Sequence, residues 1–176
     1  MDLGTQVTAA IRSLLERELD TLRREVEAFP EERGLWTIVP GVTNPAGTLV
    51  LHLTGNLQHF FGACLAKTGY KRDRPAEFAR RDVPRAELLR QVEAAREAVR
   101  AGAARLTPAE LSGEFPETVA GARYTTVEYL MHLTTHFAYH LGEIDYLRRM
   151  VTGSGTAVGA VRPDLLSSAR RTQVEA

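Results

Sequence analysis

Apolar residues recur along this chain at intervals of three and four, the spacing that lines one face of an α-helix. In the first stretch the pattern runs through Val7, Ile11, Leu14, Leu15, Leu19, Leu22, Val26 and Phe29, separated by charged residues and closed by Pro30. It predicts a long amphipathic helix. A second helix is expected from TNPAG, where Asn44 caps and Pro45 takes the first helical position; it continues through Leu49, His52, Leu53, Leu57 and Phe60 to about Ala66. A third begins near DVPRAELL, with Asp82 or Val83 as cap and Pro84 early, and reaches about Ala104. The fourth opens at TTVE, a candidate capping box of Thr125 and Glu128, and extends to about Met150. Four such segments predict an all-α fold, a four-helix bundle.

Stretches of roughly 15 to 21 residues separate the four segments, against a usual helix-to-helix link of about 2 to 8. At least one connection is therefore expected to cross over the bundle, and some to carry a short extra helix or strand. EERGLWTIVPGV holds enough apolar surface to cover a bundle end, and LTPAELSGEF suggests a helical turn followed by an extended piece. The bundle domain is placed at residues 1–151. The small, polar segment 152–176 is read as an arm or a disordered tail.

Composition narrows the function classes. Lysine and arginine number 22 and are balanced by 22 aspartates and glutamates, so no basic surplus is present to hold a phosphate backbone, and nucleic acid is not an expected partner. The single cysteine, Cys64, excludes an internal disulfide and is read as a small buried residue. No basic, apolar leader and no run of about 18 apolar residues is found, so a cytoplasmic protein without membrane partners is expected.

The chemistry concentrates in YLMHLTTHFAYHLGEIDYLR, where three of the five histidines, His132, His136 and His140, stand four residues apart. On one helix His132 and His140 lie about 12 Å apart along the axis, too far to share an ion. Either His132 with His136 or His136 with His140 can converge on a metal, and His136 belongs to both pairs. His52, among apolar neighbours in LVLHLTGN, is the candidate third ligand from another helix; the alternative is a hydrogen-bonded core imidazole. Three neutral imidazoles suit a divalent ion such as zinc or nickel, with iron and manganese also open, and leave positions for water or substrate. His59 is read as structural or as a neighbour of the site. Glu143 and Asn56 are candidates to touch a ligand's second nitrogen, with ordinary surface polarity as the alternative.

GTLVLHLTGNLQHFFG and LMHLTTHFAYHLGEIDYLR together resemble the DinB/YfiT-like superfamily, from the first helix to about Met150. The resemblance implies a four-helix bundle that holds a divalent metal by three histidines. Its late motif, approximately His-x-x-x-His-x-Gly-Gln-Ile, selects His136 and His140 with His52, and leaves His132 as the upstream neighbour and alternative ligand. Glu143 stands here where the motif has glutamine. By the same resemblance the expected activity is thiol S-transferase-like: a low-molecular-weight thiol of the bacillithiol or mycothiol type joined to a small electrophile. Metal-assisted hydrolysis of a small molecule, with Glu143 as base, and a non-catalytic metal- or small-ligand-binding helical dimer are the alternatives. A homodimer is implied in either case.

Overall fold

The computed structural model describes residues 2–170. Helix α1, Leu3–Glu27, starts at Asp2, whose carboxylate accepts from the backbone N–H of Thr5 at 3.0 Å. Ile11, Leu15, Leu19, Leu22 and Val26 form its buried stripe, and Phe29 folds under its end. A 3-10 turn, Glu32–Trp36, follows and seats Trp36 against Gly47 of the next helix; a Cβ on Gly47 would come within 2.7 Å of the indole ring.

Helix α2, Ala46–Leu57, is buried at every residue. That all-round apolar character marks it as the central element and explains why His52 lies inside the protein. Pro45 takes the cap position, one residue after the Asn44 expected from the sequence. The helix does not end at Leu57: it widens into a π-helical segment, Gln58–Ala66, closed by Lys67 in the left-handed conformation. A short helix α3, Arg74–Ala79, capped by Asp73, leads to α4, Arg85–Ala103. Helix α5, Pro108–Ser112, and an extended connection with two isolated bridges, Glu114 to Thr125 and Val119 to Ala122, lead to α6, Thr126–Thr152. Gly153, at φ 69°, turns the chain out of α6.

The capping box expected at Thr125 and Glu128 is not formed: Thr125 holds the cap position without a side-chain hydrogen bond, because it is drawn into the bridge with Glu114. The box is instead found at α5, where Thr107 and Glu110 satisfy each other's backbone N–H groups.

α1 and α2 each pack against both α4 and α6, so the ring order is α1, α4, α2, α6. Helices α1 and α2 are thus diagonal, as are α4 and α6, and the long connections that follow α1 and α4 span those diagonals. The bundle is all-α, and no strand is present among the described residues. Leu53, Leu57, Leu88, Val92, Leu130, Phe137 and Ile144 meet in its core; each fully buried side chain of this size contributes about 1.5–3 kcal/mol. Gly102 lets α4 approach the π segment closely, since a Cβ there would lie 2.6 Å from the Phe61 carbonyl oxygen.

One ion pair lies inside this core. Arg148 of α6, 1% exposed, donates from Nε to the Glu25 carboxylate of α1, which is 0% exposed, and from Nη2 to Asp145 at 2.9 Å. Arg148 also reaches the Thr156 carbonyl, and Arg24 holds that of Val158 at 2.8 Å, so residues 153–159 run back along α1 and α6. Farther on, Ser167 donates its N–H to Ser13 at 2.9 Å. Of the segment read from sequence as an arm or tail, residues 171–176 lie outside the described residues.

Candidate metal centre

His52 projects from the middle of α2 toward α6, where His136 and His140 stand one turn apart. One ring nitrogen of each of the three lies within 4.8 Å of one on each of the others. The rings meet edge to face: centroids are 5.1 Å apart for His52 and His136, 5.3 Å for His52 and His140, and 4.7 Å for His136 and His140. His132 is exposed and outside this group, its ring 6.0 Å from that of His136. A level, parallel alignment of the second and fourth helices would have set His52 opposite His132 or His136. The actual offset carries His52 one turn farther along α6, to a position between His136 and His140.

Carboxylates fix the orientation of two of the rings. Glu77 of α3 lies 3.0 Å from His52 Nδ1. It is clamped by Arg72, which donates to its two oxygens at 2.7 and 2.8 Å. Burial works to raise the Glu77 carboxyl, but the His52 and Arg72 hydrogen bonds outweigh it and hold the group below the usual glutamate value. An ionised Glu77 only accepts, so His52 Nδ1 carries the proton and Nε2 presents a lone pair. On α6, Glu143 lies 2.6 Å from His140 Nδ1, which by the same reasoning leaves the His140 Nε2 lone pair free. The carboxylate that replaces the motif's amide thus acts on a histidine through one of its oxygens, Oε2.

His136 sits between these rings, its Nε2 only 3.2 Å from His52 Nε2 and its Nδ1 buried without a hydrogen-bond partner. Burial first, then the neighbouring His52 and His140, push its pKa down to about 4. It is a neutral imidazole at physiological pH. Two nitrogens bound at about 2.0–2.1 Å to a tetrahedral ion are roughly 3.3–3.4 Å apart, close to the His52–His136 separation. A neutral His136, lone pairs turned inward and the His52–His136 spacing fit a divalent cation.

Asn56 is buried in α2, and the hydrogen-bond partner of His52 is Glu77. Sequence reasoning missed Glu77 and Arg72 altogether, because they lie in and beside a six-residue helix too short to show periodicity. The signal available was DRPAE, in which Asp73 caps a helix with proline in its first turn. Gly55, one turn after His52 on α2, makes room for the clamp: a Cβ there would lie 2.3 Å from Glu77 Oε1.

A cavity of about 400 Å³ opens beside the histidines, lined on α6 by His140, Glu143, Tyr146 and Met150 and opposite by Thr43 and Leu49. No helix among the described residues is long and apolar enough to cross a membrane.

Comparison with known families decides what this arrangement belongs to. The mycothiol S-transferase family model matches residues 10–153, which takes in most of α1, all of α2, α4 and α6, and every histidine. The chain is a member of the mycothiol S-transferase family. Through that family it belongs to the DinB/YfiT-like superfamily, as the histidine motif suggests. No curated protein and no solved structure matches the chain. The family is named for transferases that use a thiol, and the three-histidine group of this member is a possible metal site.

Proposed function

We propose that the chain is a divalent-metal-dependent thiol S-transferase, in which His52, His136 and His140 hold the ion and a low-molecular-weight thiol of the mycothiol type is joined to a small electrophile. The observation that carries the reading is the inward set of imidazoles with two carboxylates fixing their protonation, found in a chain of this family. Zinc and nickel suit three neutral nitrogen ligands best.

The work of the chain's own residues is positioning. Arg72 keeps Glu77 ionised, Glu77 keeps the His52 lone pair turned inward, and Glu143 does the same for His140. Burial keeps His136 neutral. When bound, a divalent ion supplies the positive charge that keeps a thiol cosubstrate deprotonated near neutral pH. The cavity beside His140 is of the size that takes a small molecule, and its Tyr146 and Met150 offer an apolar wall to the electrophile. The nucleophile is imported rather than built in: burial and the Glu117 carboxylate, which accepts a hydrogen bond from the thiol, push the Cys64 pKa up to about 12, and it is a poor nucleophile. A reduced thiol cosubstrate fits a cytoplasmic setting.

Elemental analysis of untagged protein purified without chelator tests the site, followed by turnover with mycothiol and a chromogenic electrophile. A fall of about one metal equivalent per chain in His52→Ala and in His136→Ala, together with loss of thiol-dependent turnover, is expected. Metal content unchanged from the unaltered protein in His136→Ala, or turnover that needs no thiol, would overturn the assignment.

A further inference from the structure

A second group of metal-ligating side chains stands apart from the three histidines. His59 and Cys64 project from the π segment, and Glu117 reaches them from the extended connection before α6. His59 Nε2 lies 3.0 Å from Glu117 Oε2, Cys64 Sγ 3.2 Å from the same oxygen, and Sγ 3.8 Å from Nε2. His52 and His59 are about 10 Å apart along the helix axis, so the two groups cannot share one ion.

The helix geometry itself brings the pair together. His59 and Cys64 are five residues apart, and in a regular α-helix five steps of about 100° put two side chains on widely different faces. A π-helix hydrogen-bonds i to i+5, so residues five apart come one above the other. The segment Gln58–Ala66 takes that winding where His59 and Cys64 need it.

We propose that His59, Cys64 and Glu117 form a second cation site, selective for zinc or another thiolate-binding divalent ion. Sulfur, imidazole and carboxylate are the three donor types that zinc accepts, and in tetrahedral geometry such donors lie roughly 3.3–3.6 Å apart. The observed separations fall within a few tenths of an ångström of that range and converge without backbone movement. On binding, the Cys64 proton leaves to solvent and the thiolate takes its place on the ion. The fourth position opens to water, since the His59 and Glu117 side chains are 21% and 40% exposed and Cys64 lines a cavity of about 350 Å³ that it shares with Lys67 and Arg105. An ion here would tie the 113–125 connection to the π segment, 53 positions earlier in the chain at Cys64.

Cobalt titration of the reduced, chelator-treated full chain under argon tests the site. Cys64 is the only cysteine, so a near-ultraviolet thiolate-to-cobalt absorption band can come from no other sulfur. A band that is present in the unaltered protein, saturates at one equivalent in the His52→Ala/His136→Ala double variant, and falls by tenfold or more in affinity in both His59→Ala and Glu117→Gln is expected. Its persistence in the double variant separates this site from the three-histidine centre. No band with excess cobalt in the unaltered protein would overturn the proposal, as would a band of unchanged affinity in both His59→Ala and Glu117→Gln. Visible cobalt absorption from the three-histidine centre reports that these last two variants are folded.

Discussion

Replacing Gly55 by alanine puts two physical effects in opposition. In a helix interior the change ordinarily stabilises by up to about 1 kcal/mol, because glycine loses more backbone freedom on folding. Here the new Cβ would sit 2.3 Å from Glu77 Oε1 and 2.9 Å from its Cδ. Restoring ordinary contact needs a displacement of about 1 Å, starting from a carboxylate held by His52 at 3.0 Å and by Arg72 at 2.7 and 2.8 Å. A move of that size breaks at least one of these hydrogen bonds, each worth about 1.5–3 kcal/mol because a charged group takes part. The charged interaction wins, and net destabilisation of about 1–2 kcal/mol follows. Zinc affinity should also fall by about 10- to 100-fold, the usual loss when the partner that orients a ligating histidine is disturbed. Urea unfolding of the metal-free protein gives the first quantity, and competition with a chromophoric chelator gives the second. A Gly55→Ala protein that is more stable by about 1 kcal/mol, with unchanged zinc affinity, would refute the view that Glu77 is pinned against α2.

The buried Arg148–Glu25 pair should prove costly to break from one side. Arg148→Met leaves an unpaired carboxylate at 0% exposure, which predicts a loss of about 3–5 kcal/mol in urea unfolding, and adding Glu25→Leu should recover most of it. Acid should destabilise the metal-free protein. His136 is held neutral down to a pKa of about 4, whereas in the unfolded chain it takes a proton near 6.5, so between those values the unfolded state binds the extra proton. Stability is then full above about pH 6.5 and lost as pH falls toward 4, by at most ~3 kcal/mol; an unfolding midpoint unchanged between pH 7 and 5 would contradict this. Glu143→Gln should keep a hydrogen-bonding side chain beside His140 yet lower zinc affinity, because an amide no longer imposes one protonation state on the ring; chelator competition would show it.

The four long helices were legible because each buries one stripe, and Leu15, Leu19 and Leu22 on α1 or Leu133, Phe137 and Leu141 on α6 display it in sequence. The crossing connections were legible from their length. His52, His136 and His140 were legible through the family motif, whereas helical geometry alone left His132 open, since the offset between α2 and α6 depends on how the intervening 60 or so residues pack, as α3 and α4 do. The capping box was misplaced because Thr125 and Thr107 carry the same local pattern, and only the bridge to Glu114 distinguishes them. The π segment was not legible: Phe60, Phe61 and Cys64 fit an apolar helix face about equally well in either winding, and the segment's close approach to Gly102 of α4 is a tertiary contact with no local signal. Glu117 lies in a connection without periodicity, and nothing near it in sequence points to His59.

His52 and His136 are 84 positions apart, on helices joined through α3, α4 and α5. Their nitrogens face each other only when α2 and α6 are packed together, so the three-histidine group does not exist in the unfolded chain. An ion held there binds the native state in preference to the unfolded one, and by mass action adds about 2.7 kcal/mol at a free concentration one hundred times its dissociation constant. Under the proposed function, metal supply would then govern how long each molecule survives as well as how fast it turns over, and a cell short of that ion would lose the protein itself through proteolysis of the opened chain.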